Sequence, residues 1–241
     1  MINATKEFLP QEQELIYALD IGTRSIIGML GKAEGERVHI LAIEKQPHES
    51  RAMLDGQIED IDQVAKTVIE ITHRLELSIE RKLTQVCVAA AGRSLRTEQG
   101  YSLMELPSPE VLQDEHIQRL TAEAVANAEQ TLKETETQDQ QLFLVGYTVT
   151  QFLLDRYPMS NLRGHTGKTL EAHVVATFLP SGVVDSLNAV IQKSGLKPVS
   201  LTLEPIAALN AAIPAELRLL NLALVDIGAG TSDIAVCRDG G

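Results

Sequence analysis

At 241 residues with 44% apolar content, the chain is long enough to bury one large core or two moderate ones, as a soluble globular protein does. Acidic residues outnumber basic ones 33 to 21, for a formal charge of −12, and no cluster of Lys and Arg stands out, which disfavours nucleic acid as a partner. No apolar run reaches the roughly 18–20 residues of a membrane-crossing helix and the polar start lacks a signal-peptide core, so a cytoplasmic location is expected.

Residues 1–13 are polar, carry Pro10 and read as a disordered arm. Two β-rich apolar runs, Leu15–Leu19 and Ile26–Leu30, then flank Asp20-Ile21-Gly22-Thr23-Arg24-Ser25, the pattern of strand, tight turn and strand. A third strand is predicted over Val38–Ile43, with His39 on its exposed face. Gly56-Gln57-Ile58-Glu59-Asp60 leads into a helix whose apolar positions Ile61, Val64, Ala65, Val68, Ile69, Ile71 and Leu75 keep helical spacing, with Asp60 as its N-cap. A buried strand, Gln85–Gly92, follows. Cys87 and Cys237 both sit in apolar strand-like runs and read as reduced, packed thiols.

From Arg93 the pattern changes. A strand over Gly100–Leu106, closed by Pro107 and Pro109, precedes an acidic helix over Gln113–Lys133 with Ile117, Leu120, Ala124, Ala128 and Leu132 on one stripe. Strands over Leu142–Leu154 and Leu170–Leu179 complete this part. Between them, Asn161–Thr169 contains Gly167-Lys168-Thr169, yet it is no P-loop: Leu162 stands where the first glycine is needed, and a strand rather than a helix follows. His165 and Lys168 are expected on the loop surface. The chain continues with a helix over Val183–Lys193 capped by Gly195, a strand over Val199–Leu203, Glu204-Pro205, a short helix over Ile206–Ala212, and a second hairpin.

That hairpin, Leu224-Val225-Asp226-Ile227-Gly228-Ala229-Gly230-Thr231-Ser232-Asp233, repeats the first. A single Asp-Gly turn serves conformation as readily as chemistry. Two copies suggest a shared purpose: amides beside Gly and a hydroxyl cradle phosphate oxygens, while each Asp faces the phosphates' metal. A hydrogen bond donated by an amide N–H to a charged oxygen contributes about 1.5–3 kcal/mol.

The pair resembles the first and second phosphate motifs of the actin, sugar-kinase and heat-shock-chaperone ATPase superfamily, and the sequence between them looks most like its FtsA and PilM group, over about Tyr17 to Val236. The resemblance implies an α/β fold. Its parts would be the first domain of an actin-like, ribonuclease-H-like ATPase, an inserted strand-helix-strand-strand subdomain, and the first hairpin of a second domain. The expected boundaries are 14–92 and 181–215 for the first domain, 93–180 for the insertion and 216–241 for the start of the second. A longer parent protein is expected, because the adenosine motif of such ATPases has no counterpart here.

The resemblance also assigns roles. Asp20 and Asp226 would hold magnesium through water; Gly22, Thr23, Arg24, Ser25, Gly228, Ala229, Gly230 and Thr231 would surround the phosphates of ATP. Glu204 would place the attacking water of a slow hydrolysis, or else merely cap the helix after Pro205. Implied partners are further copies of the chain, in a filament or dimer, and a tubulin-like division protein. An inner-membrane pilus protein is the alternative partner, for a PilM-type adaptor. Membrane attachment at the inner face would run through a region outside this chain. Two positions depart from the family pattern: Ser25 stands where a phosphate-contacting Lys is usual, with Arg24 beside it, and Ala229 replaces a glycine. A sugar-kinase reading lacks its catalytic polar cluster between Arg93 and Leu179.

Overall fold

The computed structural model describes residues 15–35, 37–90, 95–135, 141–214, 216–217 and 220–237. The arm expected over 1–13, the strand end at Gly92, and Leu219 and Gly240-Gly241 lie outside the described residues. Two compact units emerge, one drawn from Met1–Ser94 and Pro180–Gly240, the other from Leu95–Leu179.

In the first unit, alternation of buried and more open positions is clearest in the central strands of the sheet. Strand β1 (Leu15–Ile21) buries Tyr17, Leu19 and Ile21 and turns Asp20 to the opposite face. Its antiparallel neighbour β2 (Ser25–Glu34) sets Leu30, Gly28 and Ile26 directly across from those three. β3 (Arg37–Pro47) forms the edge, followed by a two-residue hairpin, β4 (Met53–Leu54) and β5 (Gln57–Ile58). Helix α1 (Ile61–Ile79) starts where Asp60 Oδ1 accepts from the Asp62 and Gln63 amides, both at 3.0 Å, a cap that stabilises by about 1 kcal/mol. It lies so close to β2 that a Cβ on Gly28 would stand 2.4 Å from Ile71 Cγ2.

Strand β6 (Gln85–Ala90) then pairs parallel to β1. β11 (Lys197–Leu203), introduced by α3 (Ser181–Lys193), pairs parallel to β6. The sheet order is β11-β6-β1-β2-β3. Gly195, at φ +75°, makes the expected left-handed exit from α3.

Helix α4 (Glu204–Ala212) follows β11 with no intervening residue, and packs against β12 (Leu222–Ile227) and β13 (Ser232–Cys237). These two strands form a sheet of their own. One face carries Val225, Ile227, Ile234 and Val236, exposed by 53, 80, 63 and 68%. The other carries Asp226, Asp233 and the buried Cys237. Cys87 is half-buried, and both thiols are free.

The second unit is a four-stranded sheet covered by one helix. β7 (Arg96–Val111), α2 (Asp114–Thr135), β8 (Leu142–Leu154), β9 (Tyr157–Met159) and β10 (Thr166–Pro180) give the order β7-β10-β8-β9. The bounds of β8 match expectation, but β7 does not stop at its prolines. It is an edge strand, and its register with β10 slips between Gly167 and Thr169, so Pro107 and Pro109 fall where the ladder is interrupted and no amide is missed. β9 is an element the sequence reading did not predict.

Leu162 is fully buried in the core of this unit with Phe178, Leu120 and Leu170. Gly167-Lys168-Thr169 belongs to β10, and His165 and Lys168 are exposed. Gly100 admits the backbone of α2: a Cβ there would stand 2.0 Å from the Ala124 carbonyl oxygen.

Candidate functional site

Both Asp-Gly turns have the same local geometry. A Cβ on Gly22 would stand 3.2 Å from the Ser25 carbonyl oxygen, and one on Gly228 would stand 3.2 Å from the Thr231 carbonyl oxygen. Each glycine is therefore set by close backbone approach. None of Gly22, Gly228, Ala229 and Gly230 takes a positive φ, so alanine at 229 fits without strain. The second turn closes with the Gly228 amide donating to Thr231 O at 2.9 Å.

The turns face each other within the first unit. Gly230 reaches the first turn directly, where a Cβ on it would stand 2.8 Å from the Thr23 side chain. Between the turns lies a cleft of about 170 Å³. From the first turn it is lined by Asp20, Gly22, Thr23, Arg24 and Ser25; from the second by Asp226, Gly228, Ala229 and Thr231. Glu204 enters it from the start of α4. Of the candidate residues, Gly230 alone is absent from the lining, packed behind it on Thr23.

The walls are strongly acidic. Asp226 and Asp233 are direct cross-strand partners, an arrangement in which like charges destabilise a hairpin. Partial loss of water, then the Asp226 carboxylate, raise the Asp20 carboxyl above the usual carboxylate range, with Lys45 opposing. Glu204 is pushed up to about 8, first by burial, then by Asp20, Asp233 and Asp226. Its Oε1 is buried with no hydrogen-bond partner among the described residues. Oxygen-rich walls of this kind suit a hard divalent cation. Among the described residues, no three His, Cys, Asp or Glu side chains converge closely enough to ligate an ion directly.

Three residues escaped the sequence reading. Asp233 lines the cleft; its signal was its place opposite Asp226 in a short hairpin. His48 and Gly56 hold the first turn from behind: His48 Nε2 lies 3.1 Å from Gly22 O, and the Gly56 amide donates to Thr23 Oγ1 at 3.0 Å. These contacts span 26 and 33 residues, beyond the reach of any local pattern.

Comparison with known proteins follows the same lines. No family model matches the chain. The cell division protein FtsA of Neisseria meningitidis is 26% identical over 235 residues, covering 96% of this chain and 54% of the relative. FtsA of Escherichia coli is 25% identical over 243 residues, covering all of this chain and 53% of the relative. FtsA of Bacillus subtilis is 24% identical, covering 94% and 50%. The chain thus spans about half the length of the curated relatives it matches. A solved PilM–PilN type IV pilus biogenesis complex superposes with a TM-score of 0.63 at 15% identity, covering 93% of this chain and 58% of that chain. No helix among the described residues is long and apolar enough to cross a membrane. The chain is FtsA-like over nearly its whole length and has the actin-like ATPase fold.

Proposed function

We propose that this chain carries the phosphate-gripping part of an FtsA-like, ATP-binding protein of bacterial cell division. The observation that carries the reading is the acidic cleft between two geometrically matched Asp-Gly turns. In this reading Asp20 and Asp226 hold magnesium through its waters, and Gly22, Thr23, Ser25, Gly228, Ala229 and Thr231 surround the phosphates with backbone and hydroxyl donors. Arg24, exposed at the rim, supplies the positive charge that Ser25 lacks, and Gly230 fixes the spacing of the two turns through Thr23. Bound magnesium would supply positive charge that offsets the repulsion among these carboxylates. Glu204 would orient water for a slow hydrolysis, the nucleotide acting chiefly as a latch. The β12–β13 hairpin begins the second domain. Residues 14–92 and 181–215 form the first domain and residues 93–180 its insertion.

The whole protein would assemble with copies of itself, bind a tubulin-like division protein, and sit at the inner face of the cell membrane. Asp226→Ala in the whole protein is expected to abolish nucleotide-dependent assembly; unchanged assembly would remove the basis of this reading. The likeness to the PilM fold supports a second reading, an adaptor that binds a peptide of a membrane-anchored pilus protein. Affinity capture separates the two, because retention of a tubulin-like protein supports division and retention of an inner-membrane pilus protein supports the adaptor.

A further inference from the structure

Residues 48–56 touch three successive residues of the first turn. The His48 amide donates to Arg24 O at 3.1 Å, His48 Nε2 meets Gly22 O at 3.1 Å, and the Gly56 amide donates to Thr23 Oγ1 at 3.0 Å. A carbonyl oxygen only accepts, so Nε2 carries the imidazole proton. Nδ1 is buried with no hydrogen-bond partner among the described residues, so the ring is held by polar contact at one end.

The segment is itself firmly seated. Ala52 and Met53 are buried, and Ala52 O accepts the Glu59 and Asp60 amides at 3.0 and 3.1 Å. Asp55 and Gly56, at φ +48° and +79°, form the two-residue turn between β4 and β5 that Asp-Gly favours. That turn is what delivers the Gly56 amide to Thr23.

We propose that His48, with Gly56, positions the first turn to bind phosphate oxygens, a role that rests on the nucleotide reading above. In a planar trans peptide the C=O and N–H point in opposite directions. Holding Gly22 O from His48 therefore aims the Thr23 N–H away from the brace, and both residues line the cleft. A hydroxyl offers one proton and two lone pairs. With one lone pair engaged by the Gly56 amide, the Thr23 hydroxyl keeps its proton for an acceptor on another side. The brace thus sets two anion donors on one residue, in a turn that lacks the usual lysine.

The test compares His48→Leu, which removes the donor, with His48→Gln, which restores an N–H at the position of Nε2. Hydrogen exchange of the peptide spanning residues 19–27 is measured without nucleotide, and magnesium-ATP affinity is measured on the whole protein. His48→Leu is expected to speed exchange in that peptide about tenfold and to weaken affinity about tenfold, the worth of one hydrogen bond. The thermal midpoint should fall by no more than about 2–5 °C, the shift one hydrogen bond accounts for in a chain of this size, and His48→Gln should restore exchange and affinity. Unchanged exchange in His48→Leu overturns the brace whatever happens to affinity. Faster exchange throughout the sheet, unrestored by glutamine, overturns it as well, since the histidine is then only part of the core. A loosened turn in a protein whose wild type binds no nucleotide supports the brace and overturns the nucleotide reading alone.

Discussion

The β-sheet unit over Leu95–Leu179 and the cleft between the two turns are built on opposite terms. In the former, apolar side chains close on one another: Leu162, Leu120, Leu170 and Phe178 share one core, and α2 comes near enough to β7 to demand glycine at 100. In the latter, two carboxylates face each other across a hairpin, Glu204 is raised first by burial and then by the carboxylates around it, and the apolar back of β12–β13 lies open. The first region buries its apolar side chains in a core of its own. The second is unbalanced in charge and covered on one side only, which is how a binding site differs from a core.

Breaking the packed region should have the largest effect. Gly100→Val must push α2 off its strand, and is expected to destabilise the chain by about 3 kcal/mol or more, read by urea unfolding. Leu162→Ala should cost about 2–5 kcal/mol in the same assay, since it empties a fully buried position. A cost under about 1 kcal/mol would mean that the connection around Leu162 is not anchored by packing.

The cleft should respond in the reverse sense. Glu204 has its folded pKa raised to about 8 from 4.5, so the folded state holds a proton that the unfolded state has lost between those values. Stability therefore falls as pH rises from about 4.5 to about 8. Glu204→Gln should flatten that slope and, above pH 8, stabilise by about 1–2 kcal/mol, less than the full shift because the open cleft screens it. Magnesium should shrink the difference. The smallest expected effect is that of Asp233→Asn, which removes the like-charge pair with Asp226 and should stabilise the hairpin by about 0.2–1 kcal/mol at low salt.

The same contrast governs what was legible in the sequence. Periodicity found β8 at both ends and α1 behind its Asp60 cap, because a strand or helix with one buried face writes that face into its own residues. It failed where tertiary context decides. β7 passes through Pro107 and Pro109 because the ladder there is already broken, and three-residue β9 is too short to show alternation. In the cleft, the repeated Asp-Ile-Gly turns were visible because each is local, and the structure brings them to one cleft. The hold of His48 and Gly56 on the first turn was not visible, since residues far apart in the chain meet only after the sheet has formed.

The central claim is that two matched turns and their carboxylates grip a magnesium-bound triphosphate. Calorimetric titration of ATP, with and without magnesium, on this 241-residue chain and on the whole protein tests it most directly. The account predicts magnesium-dependent binding by the whole protein, its loss in Asp226→Ala, and weak or no binding by the 241-residue chain alone. Absence of binding in both chains, or binding indifferent to magnesium and to Asp226, would contradict it.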